Sequence, residues 1–134
     1  MVIYSMPVRV YIEDTDAGGI VYYANYLKFM ERARTEWLRS LGIELDHWQL
    51  THKTLFVVRS VNIDYFKPAR FNDLVEATFS LTEMKRAVMT CGQKITRGDE
   101  ILAQASVTLV CVNADTLKPR AIPETIQEAI TVER

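Results

Sequence analysis

From Leu55 to Val112 the chain reads as four strand-forming runs divided only by short polar breaks, and one long amphipathic helix precedes them. Leu55, Val57, Arg59, Val61, Ile63 and Tyr65 alternate with Phe56, Val58, Ser60, Asn62, Asp64 and Phe66, the two-residue period of a strand. "KPARFND" breaks that run, and Val75, Ala77, Phe79 and Leu81 begin the next. "EMKR" reads as a turn, Val88 to Thr96 as a third strand, "RGDE" as a tight turn and Ile101 to Val112 as a fourth. The helix precedes this series. Tyr26, Met30, Ala33, Trp37 and Leu41 form a helical stripe, widened by Leu27, Phe29 and Leu38. Lys28, Arg32, Arg34, Arg39 and Ser40 fall mostly on the other side, and Gly42 is a natural left-handed stop. Such a helix of ~18 residues runs about 27 Å, long enough to cross most of a small sheet.

"VIYSMPVRVYIED" reads as a first strand, with alternation from Val8 to Ile12. Residues 43–53 suit a short helix or a loop, and "TLKPRAIP" is an irregular stretch before a short helix from Glu124. One strand, one helix and four strands in hairpin succession predict an α+β fold, an antiparallel sheet with the helix on one face. The expectation is one domain over residues 1–134. Several strands are apolar on both faces, as at Phe56 and Val58 or at Leu102, Val110 and Val112. One helix covers one face. A second copy of the chain is the economical cover for the other, so an oligomer is expected.

With 49% apolar and 25% charged residues, a chain of this length builds a core without disulfides or metals. A net charge of −1 gives no electrostatic footprint for nucleic acid. The middle third, residues 51–97, holds eight bases against four acids, an excess that suits an anionic group. Cys91 and Cys111 lie far apart in strand-like runs and read as buried, reduced thiols. The N-terminus lacks the pattern of a signal peptide, and the apolar run Gly19 to Leu27 is too short to span a bilayer. A cytoplasmic protein is expected.

The stretch "EDTDAGGIVYYANY", Glu13 to Tyr26, places three acids and two glycines ahead of the helix. Asp14, Thr15 or Asp16 could cap the helix, but the periodic stripe starts several residues after Asp16. An EF-hand loop fails at its fifth position, Gly18, and at its twelfth, Asn25. Catalysis is the third reading. A carboxylate at a Gly-Gly turn before a helix N-terminus sits beside free amides, which can hold an oxyanion while the acid acts as base or nucleophile.

"RVYIEDTDAGGIVYYANYLKFMERART", Arg9 to Thr35, strongly resembles the signature of the 4-hydroxybenzoyl-CoA thioesterase family, and "VRSVNIDYFKPARFNDLVEATFSLTEMKR" extends the resemblance. It is most similar to the acyl-CoA thioesterases associated with the bacterial Tol-Pal system. The resemblance implies the hotdog fold, an antiparallel sheet wrapped around one long helix, assembled as homodimers and often homotetramers. It places the family's catalytic aspartate on Asp16 and the amide that polarises the thioester carbonyl on Tyr23. Thr15, Gly18 and Gly19 match the motif turn, Asn25 lies just beyond it, and a CoA-phosphate pair falls on Lys85 and Arg86. The nearest relatives often carry histidine in place of Tyr23. Another hotdog branch uses a glutamate on the helix, for which Glu31 and Glu36 are the candidates. Pairing of Glu31 with Arg34 and of Arg32 with Glu36 is the plainer expectation for them.

The activity implied is hydrolysis of an acyl-CoA thioester, or of an acyl group on acyl carrier protein, to a free acid. It needs no metal or cofactor, and His47 and His52 have no ligand spacing. Hydration of an acyl thioester would need a histidine near the pre-helix turn, where there is none. An acyl-thioester-binding module without turnover is the non-enzymatic alternative. Serine or cysteine catalysis has no motif here.

Overall fold

The computed structural model describes residues 4–133. The elements are β1 (Tyr4–Arg9), a 3₁₀ turn (Ile12–Asp14), α1 (Asn25–Ser40), α2 (Leu45–His52), β2 (Thr54–Tyr65), β3 (Leu74–Met84), β4 (Val88–Arg97), β5 (Glu100–Asn113) and α3 (Glu124–Glu133). The expected first strand therefore stops at Arg9, and its Val2 and Ile3 lie outside the described residues. The strand ends early because Asp14 folds back and takes the Tyr11 amide, which turns the chain.

The five strands form one antiparallel sheet in the order β1-β3-β4-β5-β2. This corrects one expectation: β3, β4 and β5 are joined by hairpins, but β2 and β3 are not neighbours. β2 pairs with β5 at one edge, and β3 pairs with β1 at the other, with Val8 opposite Val75. Pro68 in the connecting loop helps to separate the two, since proline cannot donate to a ladder.

α1 lies on one face of the sheet. Its stripe buries Tyr26, Phe29, Met30, Ala33, Trp37 and Leu38, and Trp37 stacks on Phe79 of β3 with ring centroids 4.1 Å apart. Burial of side chains such as Phe29, Met30 and Leu38 contributes about 1.5–3 kcal/mol each. Arg34 departs from the expected polar face. It turns inward, and its Nη1 donates to Gln93 Oε1 at 2.9 Å, while Gln93 Nε2 donates to the carbonyls of Met30 and Thr78 at 2.9 and 3.2 Å. Gln93 thereby pins α1 to β4 and β3. Burial pushes the neighbouring Cys91 thiol up to about 11, partly countered by the Arg34 charge.

The second sheet face is not the bare apolar surface expected. Leu102, Val110 and Val112 are all buried within the chain, with Leu55 and Val57 beside Val112 and Val110 in register and Pro119 bridged to Val112. Exposed apolar side chains of the sheet include Val58 and Val61 on the edge strand β2, 48% and 39% exposed, with Leu74 at the start of β3 and Ile101 at the start of β5. The opposite edge, β1, is short and carries Pro7. Among the described residues no helix is long and apolar enough to cross a membrane.

Candidate active site

The chain leaves β1 with the Val10 amide donating to the Asp73 carbonyl, then enters a small hairpin whose limbs meet at Thr15 and Val21. The Asp16 amide donates to the Ile20 carbonyl at 2.9 Å, and the Gly19 amide closes a turn on the Asp16 carbonyl at 3.0 Å. Aspartate first and glycine fourth are favoured residues in such a turn. Gly19 has φ +78°, the left-handed region that a side chain rarely adopts. A Cβ on Gly18 would stand 3.2 Å from Asp16 Oδ1 and crowd the carboxylate.

Asp16 itself is exposed. Its Oδ1 accepts the Gly18 amide at 2.8 Å, so the carboxylate is aimed by its own turn rather than by the helix. Among the described residues its Oδ2 has no hydrogen-bond partner.

Asp14 has a different role. Only 9% exposed, it accepts from the Tyr11 amide at 2.8 Å and from Asn25 Nδ2 at 3.2 Å, while its carbonyl accepts the Tyr22 amide at 3.0 Å. It thus clamps the turn against the first residue of α1. Ala24, at the helix cap, offers no side-chain acceptor, and among the described residues the Tyr23 and Ala24 amides donate to no protein group. Sequence reasoning considered Asp14 only as a cap and missed its pairing with Asn25. No spacing rule links two residues that meet across a turn.

An apolar hollow of about 240 Å³ adjoins the hairpin, lined by Ile20, Val21, Tyr23, Tyr26, Tyr65 and Phe66, with Lys67 and Pro68 at its wall. Tyr65 meets Tyr23 edge-on at 6.0 Å and Tyr26 at 5.5 Å. The Tyr26 hydroxyl is fixed by the Ala69 amide at 3.0 Å. Burial, reinforced by the neighbouring Tyr23 and Tyr26, raises the Tyr65 phenol above its ordinary value. A larger hollow of about 370 Å³ lies against β1, lined by Arg9, Tyr11, Glu13, Asp14 and Arg32 among others. Its two acids and two bases offset one another, and the Asp14 oxygens are already engaged. The smaller hollow better suits an acyl group.

Lys85 and Arg86 are not part of this constellation within one chain. They form the β3–β4 turn, where the Lys85 amide donates to the Val88 carbonyl and its ammonium lies 3.4 Å from Glu83. The Asp16 hairpin is tied to the opposite end of β3, so the pair stands about 30 Å away along the strand. On α1, Glu36 pairs with Arg39 rather than Arg32, and Arg32 lies over the Phe29 ring. Glu31 is exposed. His47 and His52 sit together on α2, and among the described residues no three His, Cys, Asp or Glu side chains converge as metal ligands would.

A five-stranded antiparallel sheet with a long helix laid across it, and a glycine turn at the helix start, is the architecture of the hotdog thioesterases. The Thioesterase-like superfamily matches residues 10–130, and the chain belongs to it. It is 41% identical over 126 residues to the acyl-CoA thioesterase YbgC of Haemophilus influenzae, covering 94% of this chain and 93% of that one. It is 41% identical over 125 residues to the acyl-CoA thioester hydrolase YbgC of Escherichia coli O6:H1, covering 92% of each. The crystal structure of a probable thioesterase from Bartonella henselae superimposes with a TM-score of 0.85 at 33% identity, covering 90% of this chain and 99% of that one.

Proposed function

We propose that this chain hydrolyses acyl-CoA thioesters to a free acid and CoA, with residues 1–134 working as one hotdog unit and Asp16 supplying the reactive carboxylate. One observation carries the assignment to Asp16. One of its oxygens is fixed by the Gly18 amide and the other has no partner among the described residues, on a hairpin whose Ile20 and Val21 line an apolar hollow and which leads into a helix start with unused amides.

The acyl group occupies the hollow, and the thioester carbonyl oxygen accepts from the Tyr23 amide. Asp16 either adds directly to the carbonyl carbon, giving a mixed anhydride that water opens, or removes a proton from water as that water adds. In both routes the carbon–sulfur bond breaks as the tetrahedral oxyanion collapses, and the proton ends on the CoA thiol. Donors aimed at the oxyanion lower the barrier because they need no reorganisation during reaction. Repeated turnover in ¹⁸O-water with mass analysis of the Asp16 peptide tests for direct attack: label in the Asp16 carboxylate shows a mixed anhydride opened at the Asp16 carbonyl carbon, which base catalysis never forms.

Because it is the Tyr23 amide that acts, the side chain is replaceable. Tyr23→His should keep kcat within about threefold while changing the ranking of acyl groups, since the ring lines the hollow and a change of packing there is worth about 10–200-fold in selectivity. Rates over an acyl-CoA panel check this. A fall of kcat for every acyl group would instead give the side chain a catalytic part.

The protein is further proposed to act as a cytoplasmic homo-oligomer, a dimer or a tetramer, on CoA or acyl-carrier-protein thioesters, which share the pantetheine thiol. The edge strand β2 supports the oligomer. It is twelve residues long, unpaired on one side and apolar at Val58 and Val61, whereas β1 is short and guarded by Pro7. Tyr65, at the end of β2, lines the hollow, so a second copy on this edge would seat beside the site. Lys85 and Arg86 are proposed to meet CoA phosphates in the site of another protomer, since their own is too distant. The Val58→Glu/Val61→Glu double variant should sediment as a monomer and lose most turnover. An unchanged oligomer with both charges in place would remove β2 as the contact.

A further inference from the structure

The loop between β2 and β3 forms the wall of the hollow through Phe66, Lys67 and Pro68, yet of its residues only Ala69 is buried. Backbone bonds fix its ends, from the Phe66 and Lys67 amides to the Leu102 carbonyl and from the Asn72 amide to the Val10 carbonyl, and a charge network adds to them. Arg97, at the end of β4, is the centre of that network. Its Nη1 donates to Asp73 Oδ2 at 2.7 Å and to the Pro68 carbonyl at 3.2 Å, and its Nε donates to Glu100 Oε1 at 3.2 Å. Glu100 Oε2 accepts from Lys67 Nζ at 3.0 Å, and Asp73 Oδ2 also accepts the Arg70 amide at 2.8 Å. Between those anchors, the Ala69 amide donates to the Tyr26 hydroxyl and its carbonyl accepts the Val21 amide at 2.8 Å. The same loop therefore fixes a tyrosine on the floor of the hollow and one limb of the Asp16 hairpin.

We propose that Arg97, acting through Asp73, Glu100 and the Pro68 carbonyl, is a positioning residue that sets acyl selectivity by placing this wall. Isolated surface ion pairs contribute little. Here one guanidinium joins two carboxylates and a backbone carbonyl, and its planar fork meets partners in several directions at once. Partial burial pushes the Asp73 carboxyl up, and the Arg70 amide and Arg97 outweigh it and hold the carboxyl below its ordinary value. An acyl group that fills the hollow touches the wall, and an acetyl group is too small to depend on it.

The proposal rests on the hollow being the acyl site, and its test is built to fail separately. Kinetics of Arg97→Gln and Arg97→Lys would be measured with acetyl-CoA and with the pocket-filling acyl-CoA that the wild type prefers most over it. Arg97→Gln should cut that preference about tenfold, chiefly through the KM of the larger substrate. Arg97→Lys should restore part of the preference, because it keeps the charge and loses the fork. An unchanged preference, or an equal loss for both substrates that follows the loss of folded protein, would overturn the proposal. Binding of the non-hydrolysable thioethers S-benzyl-CoA and S-ethyl-CoA, by calorimetry, supplies the second readout. If the wild type turns over nothing, yet Arg97→Gln flattens discrimination between the thioethers, the hydrolytic reading fails and the positioning role stands. If no variant alters that discrimination, the positioning role fails.

Discussion

Asp16→Asn loses about 10²–10⁴-fold in kcat while its melting temperature stays within a degree or two of the wild type. The rate loss is the usual contribution of a positioned acid–base group, and the unchanged stability follows from the geometry. Asn Oδ1 still accepts the Gly18 amide that Asp16 Oδ1 accepts at 2.8 Å, so the turn through Gly19 survives. The free oxygen becomes an amide nitrogen, which neither attacks a carbonyl nor takes a proton from water. Thiol release over a panel of acyl-CoA esters measures the rate, and calorimetric melting measures the fold. Equal turnover by both proteins would reduce Asp16 to a turn-forming residue and bring Glu31 forward, exposed on α1. A wild type that binds acyl-CoA without cleaving it would make the chain a binding module.

The turn of the candidate site was more legible in the sequence than the sheet was, for a physical reason. Asp16, Gly18 and Gly19 act through contacts within four residues, so the turn and its left-handed glycine leave a local signature. Helix α1 was legible for the same reason, as its stripe repeats along a single element. Strand order is not local. Val8 meets Val75 rather than its chain neighbours, and β2 crosses to β5, while the alternation of β1 and β2 gives no clue to either partner. Arg34 shows the same limit in one side chain. On the helical wheel it belongs to the solvent face, but Gln93, fifty-nine residues away, offers an oxygen under the helix and draws it inward. Resemblance assigned Lys85 and Arg86 to the CoA phosphates, and within one chain they follow the far end of β3 from the segment that leads into the Asp16 hairpin.

Asp14→Ala should damage the fold first and the chemistry second, the reverse of Asp16→Asn. Asp14 is nearly buried, and its carboxylate satisfies the Tyr11 amide and the Asn25 side-chain amide. Truncation leaves both donors without their acceptor in a place where water reaches poorly, at about 1–3 kcal/mol for each group. Partial relaxation of the turn recovers some of this, so a loss of about 2–4 kcal/mol is expected. At this chain length that lowers the melting temperature by about 8–16 °C. Activity falls too, because the clamp joins the Asp16 hairpin to Asn25 at the start of α1, and the Tyr23 amide lies just ahead of that residue. Asp14→Asn is the control. Its Oδ1 can still take the Tyr11 amide, and Asn25 can turn its own oxygen toward the new amide, so most stability and rate should return. Full stability in Asp14→Ala combined with a rate loss as deep as that of Asp16→Asn would exchange the two roles, making the buried aspartate the reacting acid and Asp16 its support.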